Sequence, residues 1–314
     1  MYDPINNFLA QRPYMVVDGA MGTELEQRGM DIKDPLWSTK CLIEQSQLIQ
    51  QIHLDYFCAG ADIATTATYQ ATFDAFAHHG IEQQAAAQYM RQAVVLAIAA
   101  RNEFWAIAAN RTGRIQPLIA ASIGPYGAAL ADGSEYRGHY ALNDIALANF
   151  HRSRLEVLAH AGADLLACET IPCLREAQVL AKLLQNFPDV CAWISFSCKD
   201  GIYNCEGEEI GKCIAQLQAY PQIVAVGVNC TQPQYITSLL RQMRANTDKP
   251  LLVYPNSGEY YTASQQWHGN SEKSHLDEQA DIWLAEGARL IGGCCRTGPA
   301  EIRRLAHCLN TARI

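Results

Sequence analysis

A single-domain (β/α)8 TIM-type barrel, with its core running from about residue 14 to 306 of the 1–314 chain, is the architecture to expect from this sequence. Three features point to it. Eight short apolar runs alternate with amphipathic helical segments. A glycine-closed motif recurs ahead of three of those runs. At 314 residues the chain is long enough for eight strand–helix units.

The expected strands are Met15–Asp18, Ile63–Thr68, Pro117–Ile123, Asp164–Glu169, Cys191–Ser197, Ile223–Cys230, Leu251–Pro255 and Arg289–Gly293. Most are continuously apolar rather than alternating, as strands of a parallel sheet covered on both faces are. Helical stripes lie between them: Ile49, Ile52, Tyr56, Ala59; then Ala177, Leu180, Ala181, Leu184; then Ile236, Leu239, Leu240, Met243; then Ile302, Leu305, Ala306, Leu309. Gly298-Pro299 opens the last of these, proline being suited to a first helical turn. Ala59-Gly60-Ala61-Asp62, Ala161-Gly162-Ala163-Asp164 and Glu286-Gly287-Ala288-Arg289 each read as a helix end closed by glycine and feeding a strand. An open doubly wound sheet is the alternative, but no GxGxxG follows any strand.

Composition narrows the function classes. Hydrophobic residues make up 49% and charged residues 18%, an ordinary globular balance. Lys+Arg is 24 and Asp+Glu 32, a net charge of −8 with no basic block, which argues against nucleic acid as a partner. No apolar run reaches the length of a membrane helix, and Met1 to Pro13 lacks the pattern of a signal peptide, so a cytoplasmic protein is expected. The 12 cysteines are then not expected to build a disulfide framework; isolated ones such as Cys58, Cys191 and Cys213 read as small buried hydrophobes.

In a barrel, chemistry collects where strands end. Cys230 closes the sixth strand, and Cys294 and Cys295 close the eighth. Neighbouring residues on a strand face opposite ways, so both can reach one ion only where the backbone leaves strand geometry, and Gly292-Gly293 would allow that bend. Three thiolates suit zinc and leave its fourth position open, the pattern of a catalytic site. Taken singly, the vicinal pair also fits chance or redox chemistry, and Cys230 fits plain packing. The loop Asp18-Gly19-Ala20-Met21-Gly22 reads either as an anion-binding nest or as a tight turn. Glu169 reads either as a structural ion pair, with Arg296 one possible partner, or as the group that receives a substrate ammonium. A nest, a carboxylate and an open metal position on one rim would together clamp a sulfur-bearing α-amino acid. Tyr69, Tyr126, Tyr136, Glu135 and Glu259 stand on that rim as candidates for a cationic co-substrate, and each fits a structural role equally well. Trp37 fits a lid or a cap. A zinc hydrolase would want histidines at strand ends, but His53, His78, His79, His139 and His151 fall in helices and loops.

Asp18-Gly19-Ala20-Met21-Gly22-Thr23-Glu24-Leu25, Leu36-Trp37-Ser38, Gly124-Pro125-Tyr126-Gly127, the run Leu130 to Gly138, Ala167-Cys168-Glu169-Thr170, Gly227-Val228-Asn229-Cys230, Tyr254-Pro255-Asn256-Ser257-Gly258-Glu259 and Gly292-Gly293-Cys294-Cys295-Arg296 together resemble the homocysteine S-methyltransferase family. The likeness runs from about Tyr14 to Ala306 and is greatest to its short, stand-alone, sulfonium-using members. It implies a (β/α)8 barrel, with Cys230, Cys294 and Cys295 as zinc ligands. It also implies that Asp18, Gly19, Ala20, Met21, Glu169 and Asn229 lie on the homocysteine side. The implied reaction moves a methyl group from S-methylmethionine or S-adenosylmethionine to a zinc-activated homocysteine thiolate, giving methionine. Betaine- and cobalamin-dependent relatives carry extra segments for which this chain shows no sequence; another thiol or selenol acceptor is a variant of the same chemistry. From other classes, a zinc hydrolase or a non-catalytic zinc-binding barrel remains as an alternative. The loop from Lys199 to Glu209, with Cys205, and the stretch from Gly269 to His275 depart from the family pattern and bear on the donor.

Overall fold

The computed structural model describes residues 2–31, 37–258, 260–261, 267–268 and 276–311. All eight expected strands form, as β1 Met15–Val16, β2 Ile63–Thr65, β3 Leu118–Ile123, β4 Leu165–Ile171, β5 Ala192–Phe196, β6 Ile223–Asn229, β7 Leu251–Tyr254 and, as the eighth stave, β10 Ala288–Ile291. They pair in parallel in the order β1-β10-β7-β6-β5-β4-β3-β2, and a bridge between Val17 and Ile63 closes the ring. Between β7 and β10 a short antiparallel pair, β8 Tyr260–Tyr261 and β9 Trp267–His268, was not expected. The stretch from Gly269 to His275, Leu36 and Glu259 lie outside the described residues, as does the side chain of Trp37.

The four stripes do what their spacing requires. Every one of their sixteen residues is buried between the sheet and the helix layer. Gly60, Gly162 and Gly287, which end the helices before β2, β4 and β10, have φ of +117°, +91° and +104°. Only glycine takes that left-handed turn without a Cβ penalty.

Inside the ring, Met15, Val17, Ile63, Leu165, Leu252 and Leu290 meet around Trp193. Ala120, Ala167 and Ala225 leave room for the indole. The bottom is plugged by the helix Pro4–Leu9, whose Ile5 and Phe8 enter this core. Its start is written locally: Asp3 caps Asn6 N at 3.0 Å and Pro4 fills the first turn. Burying those two side chains contributes roughly 1.5–3 kcal/mol each. The plug was not expected from the sequence, where six residues are too few to show an amphipathic period. Among the described residues no helix is long and apolar enough to cross a membrane.

His53, on the helix Ser46–Ala59, is wholly buried with neither ring nitrogen hydrogen-bonded. Burial lowers its pKa from 6.5 to about 4, so it is neutral in the fold. On acidification the unfolded chain takes up the proton first, and stability falls as pH drops through the interval between those two values. At about pH 5 this one residue should cost roughly 2 kcal/mol relative to neutral pH. Thermal unfolding of His53→Leu should therefore be less pH-sensitive than that of the unaltered chain. An identical pH profile would show that His53 is not held neutral.

Candidate active site

β6 and β10 deliver the cysteines to one spot at the barrel mouth. The sulfurs of Cys230, Cys294 and Cys295 all lie within 4.8 Å of one another. Those of Cys230 and Cys294 are in direct contact as a disulfide pair, with Cα atoms 5.6 Å apart, and Cys230 Sγ is 3.8 Å from Cys295 Sγ. Tetrahedral coordination with metal–sulfur bonds of about 2.3 Å sets sulfurs about 3.8 Å apart. Once the pair is reduced, the trio fits a thiophilic ion in composition and in that separation. Burial pushes the Cys295 thiol up to about 12, assisted by the Glu135 carboxylate, while the Tyr136 hydroxyl pulls the other way.

The expected bend before the vicinal pair has a different cause from the one anticipated. Neither Gly292 nor Gly293 adopts a positive φ; that conformation falls on Cys230 (φ +47°) and Arg296 (φ +66°). The two glycines are needed because neighbouring atoms come close. A Cβ on Gly292 would lie 2.6 Å from the Val17 carbonyl oxygen, and one on Gly293 would overlap the Thr297 side chain.

Glu169 stands opposite the cysteines on β4, only 8% exposed. The pairing of β4 with β5 slips between Cys168 and Ile171, and Thr170 has φ +62°, so a bulge aims the carboxylate into the mouth. Its partners are hydroxyls: Ser122 Oγ at Oε1, and Tyr254 OH 2.9 Å from Oε2. Arg296, offered above as its ion-pair partner, instead reaches Glu26 at 3.4 Å. Burial raises the pKa of Glu169, and the two hydroxyls lower it in part.

Asn229, the last residue of β6, pins the bulge. Its Oδ1 accepts from Thr170 N at 2.7 Å and Ser195 Oγ at 2.8 Å, and its Nδ2 donates to Thr170 Oγ1 at 2.8 Å. Asp18, 3% exposed, accepts from Thr65 N at 2.9 Å and Thr65 Oγ1 at 3.2 Å, tying β1 to β2. Burial pushes its pKa well up, and Glu169 adds to this. The Ala20 N–H is committed to the Thr297 carbonyl at 2.9 Å; Met21 opens the helix Met21–Gln27, whose N-terminus no side chain caps.

The other rim candidates divide. Tyr69, Glu135 and Tyr136 gather near Cys295: the Glu135 carboxylate raises the pKa of both phenols and of the thiol, in each case after burial. Burial also pushes Glu135 itself up to about 7, and its Oε2 has no hydrogen-bond partner. Tyr126 instead packs edge-on against Tyr140 and Phe150, at 5.2 and 5.0 Å. The loop from Lys199 to Glu209 folds over this side, with Glu206 accepting from His139 N at 2.6 Å and Ser197 Oγ donating to the Glu135 carbonyl at 2.8 Å.

Comparison with known proteins agrees with this geometry. A sequence model of homocysteine S-methyltransferases matches residues 15–309. The chain belongs to the homocysteine S-methyltransferase family. The homocysteine S-methyltransferase YbgG of Bacillus subtilis is 50% identical, with 97% of each chain covered. The homocysteine S-methyltransferase of Escherichia coli is 46% identical over 96% of this chain and 97% of its own. The crystal structure of the homocysteine methyltransferase MmuM from Escherichia coli, in a metallated form, superposes with a TM-score of 0.88 at 43% identity, covering 97% of this chain and 99% of that one. The protein is accordingly a homocysteine S-methyltransferase with a (β/α)8 barrel.

Several residues that build this methyltransferase site were not singled out from the sequence. Ser122, Ser195 and Tyr254 surround Glu169 and Asn229, yet hydroxyl residues occur along the whole chain and only the register reveals which ones meet. Behind the wall, His151 Nε2 lies 2.7 Å from Glu176 Oε1, and Arg154 Nη2 contacts both His151 Nδ1, at 2.9 Å, and the Gly124 carbonyl. Glu176 also accepts from Tyr126 N at 2.7 Å, so a buried ionic cluster holds the loop after β3. His151 and Arg154 lie three apart on the inner face of the helix Asp144–Ala159, a spacing that a search for buried charge on helices would have found.

The close approach at the vicinal cysteines has a measurable consequence. Gly293→Ala should destabilise the fold by about 1–3 kcal/mol through overpacking against Thr297. Trimming the obstacle in Gly293→Ala/Thr297→Ser should recover part of that loss. Denaturant unfolding of the two variants checks this, and a Gly293→Ala protein as stable as the unaltered chain would remove the close-approach explanation.

Proposed function

We propose that reduced Cys230, Cys294 and Cys295 hold one zinc ion and that the enzyme methylates homocysteine from a sulfonium donor, S-methylmethionine ahead of S-adenosylmethionine. The observation that carries the reading is the meeting of three cysteine sulfurs within 4.8 Å at the mouth of the barrel, facing the buried Glu169. Zinc, when bound, would supply a Lewis acid that keeps the substrate sulfur as a thiolate at neutral pH.

The remaining work belongs to the protein. Glu169 receives the ammonium of homocysteine. The loop from Asp18 through Gly19, Ala20 and Met21 receives its carboxylate. This is supported by the uncapped start of the helix Met21–Gln27, with Ala20 shaping the turn since its own N–H is committed. Asn229 keeps the Glu169 bulge in place. The donor lies beyond Cys295, against Tyr69, Tyr136 and Glu135, with Tyr126 shaping the wall. Phenol faces and a carboxylate suit a sulfonium, a cation with no N–H or O–H to donate. The leaving group is a neutral thioether and needs no general acid, so the site has to align the two sulfurs and the methyl group and keep water out. The compact donor is favoured because no adenine-specific signature stands out along the chain.

The metal assignment makes a quantitative expectation. Purified under reducing conditions, the protein should carry about one zinc per chain, and Ala at Cys230, Cys294 or Cys295 should remove both zinc and turnover, since two anchors do not retain the ion. Cys168→Ala, at a packed position on β4, should keep both. Full zinc and full turnover in Cys295→Ala would overturn the shared site.

The donor is tested by assaying methionine formation from homocysteine with S-methylmethionine, S-adenosylmethionine and betaine in parallel. Turnover is expected with the sulfonium donors, greatest with S-methylmethionine, and essentially none with betaine. Robust betaine activity, or a requirement for cobalamin, would reverse the reading.

A further inference from the structure

The hydrogen bonds around Glu169 outnumber the hydroxyl protons available to fill them. The fixed donors settle the count. Thr170 N, which can only donate, faces Asn229 Oδ1 at 2.7 Å, so that oxygen is an acceptor and the amide orientation follows. Ser195 Oγ lies 2.8 Å from the same oxygen and must give it its single proton. Trp193 Nε1–H donates to the Tyr254 oxygen at 3.2 Å. Two contacts remain, Ser195 Oγ to Tyr254 OH at 2.8 Å and Tyr254 OH to Glu169 Oε2 at 2.9 Å, and Tyr254 has one proton for them. Turned toward Glu169, it leaves two lone-pair-bearing oxygens facing each other at 2.8 Å. Turned toward Ser195, it needs a proton from the carboxyl. Ser122 occupies the other carboxyl oxygen and supplies nothing to this chain of contacts.

We propose that Glu169 holds the missing proton in the substrate-free enzyme, donating it to Tyr254, and releases it to solvent when the ammonium of homocysteine docks. The inference rests on the reading above that Glu169 receives that ammonium. Among the described residues, the titratable groups that act on or respond to Glu169 are Asp18, Tyr69, Cys168, Tyr254 and Cys295, none of them a cation. Burial in that company raises the carboxyl's pKa. The balance is simple: a carboxylic acid and an ammonium become a carboxylate–ammonium pair, and one proton goes to the buffer. Tyr254 then turns its own proton onto the carboxylate, and its contact with Ser195 loosens. Tyr254 and Ser195 are thus positioning residues that set the protonation state of the substrate-binding carboxyl. Binding of the amino acid weakens as pH falls below that carboxyl's pKa, because proton and ammonium compete for it.

The metal-loaded, reduced enzyme titrated with L-methionine isolates the event, since methionine carries the ammonium and has no thiol proton to lose. Calorimetry in buffers of different ionisation enthalpy should show proton release on binding that rises toward one per site as pH is lowered and declines to none as pH is raised. Difference infrared spectra should show a protonated-carboxyl band lost on binding. Ser195→Ala frees the Tyr254 proton for Oε2, so the pH at which release ends should move down by about one unit. Glu169→Gln, whose amide can donate to Tyr254 as the acid does, should keep the melting temperature, release no proton and bind methionine about 30-fold or more weakly. If the unaltered enzyme releases no proton and shows no acid band, while Glu169→Gln still weakens binding, the stored proton is refuted and the ammonium site stands. If Glu169→Gln binds methionine unchanged, both fall.

Discussion

Three sulfur atoms from two strand ends can meet only where the backbones carrying them leave no space for side chains. At Gly227 in β6 a Cβ would overlap the Leu252 carbonyl of β7, and at Gly292, just past β10, it would press on Val17 after β1. These contacts draw β6, β7, β10 and β1 together on the side of the ring that holds the cysteines. Two of the non-glycine residues with positive φ then fall at this mouth, Cys230 at the end of β6 and Thr170 beside Glu169. Strain of this kind persists only where surrounding bonds over-determine it. Here they do: Asn229 grips Thr170 through both its N–H and its hydroxyl, and Cys230 N is held by the Tyr254 carbonyl at 3.2 Å.

That dependence on close approach explains what could and could not be read along the chain. Strand positions were legible because buried parallel strands are continuously apolar, and helix ends because Gly60, Gly162 and Gly287 carry a conformation other residues resist. Cys230, Cys294 and Cys295 were legible because three soft ligands at strand ends form a rare pattern. The role of Gly292-Gly293 was misread, since a missing side chain looks the same whether it allows a turn or a contact. The partner of Glu169 was misread for a related reason. Arg296 is near in sequence to the cysteines, but charge pairing is decided across the ring, and there the carboxylate meets Ser122 and Tyr254. The plug helix Pro4–Leu9 has a clear cap and proline start, but its six residues are too few to show an apolar period, and nothing along the chain says that they enter the barrel.

The open end of the barrel is acidic and hydroxyl-rich. Glu169 is buried close enough to Asp18 to raise its cost of ionisation, and Glu135 adds a third carboxyl beside Cys295. A fold that needed these groups only for stability would have supplied arginines, as it does elsewhere: Arg12 and Arg114 both reach Asp62 at the far end of the barrel. Leaving the site carboxyls among hydroxyls gives them hydrogen-bond partners in the protein interior without a compensating cation. On the proposed reading, the ammonium of the amino acid supplies that cation on arrival.

The proposed chemistry sets a limit on how strongly the donor side should do the same. A sulfonium and a thiolate react to give two neutral thioethers, so the transition state carries less charge than the bound reactants. An ionised carboxylate held tightly against the sulfonium would stabilise the reactants more than the transition state and slow the methyl transfer. Phenol faces, with a weaker and more diffuse attraction for cations, stabilise the donor at less expense to the rate. On the proposed reading, Tyr69 and Tyr136, both beside Cys295, would supply such faces. Glu135, pushed by burial up to about 7, carries only part of a full negative charge at neutral pH. The homocysteine side is under no such constraint, because the ammonium held there keeps its charge throughout the reaction. On this argument the difference between Glu169, which ionises as the ammonium docks, and Glu135, which stays partly protonated, follows from which substrate charge survives the reaction and which is consumed.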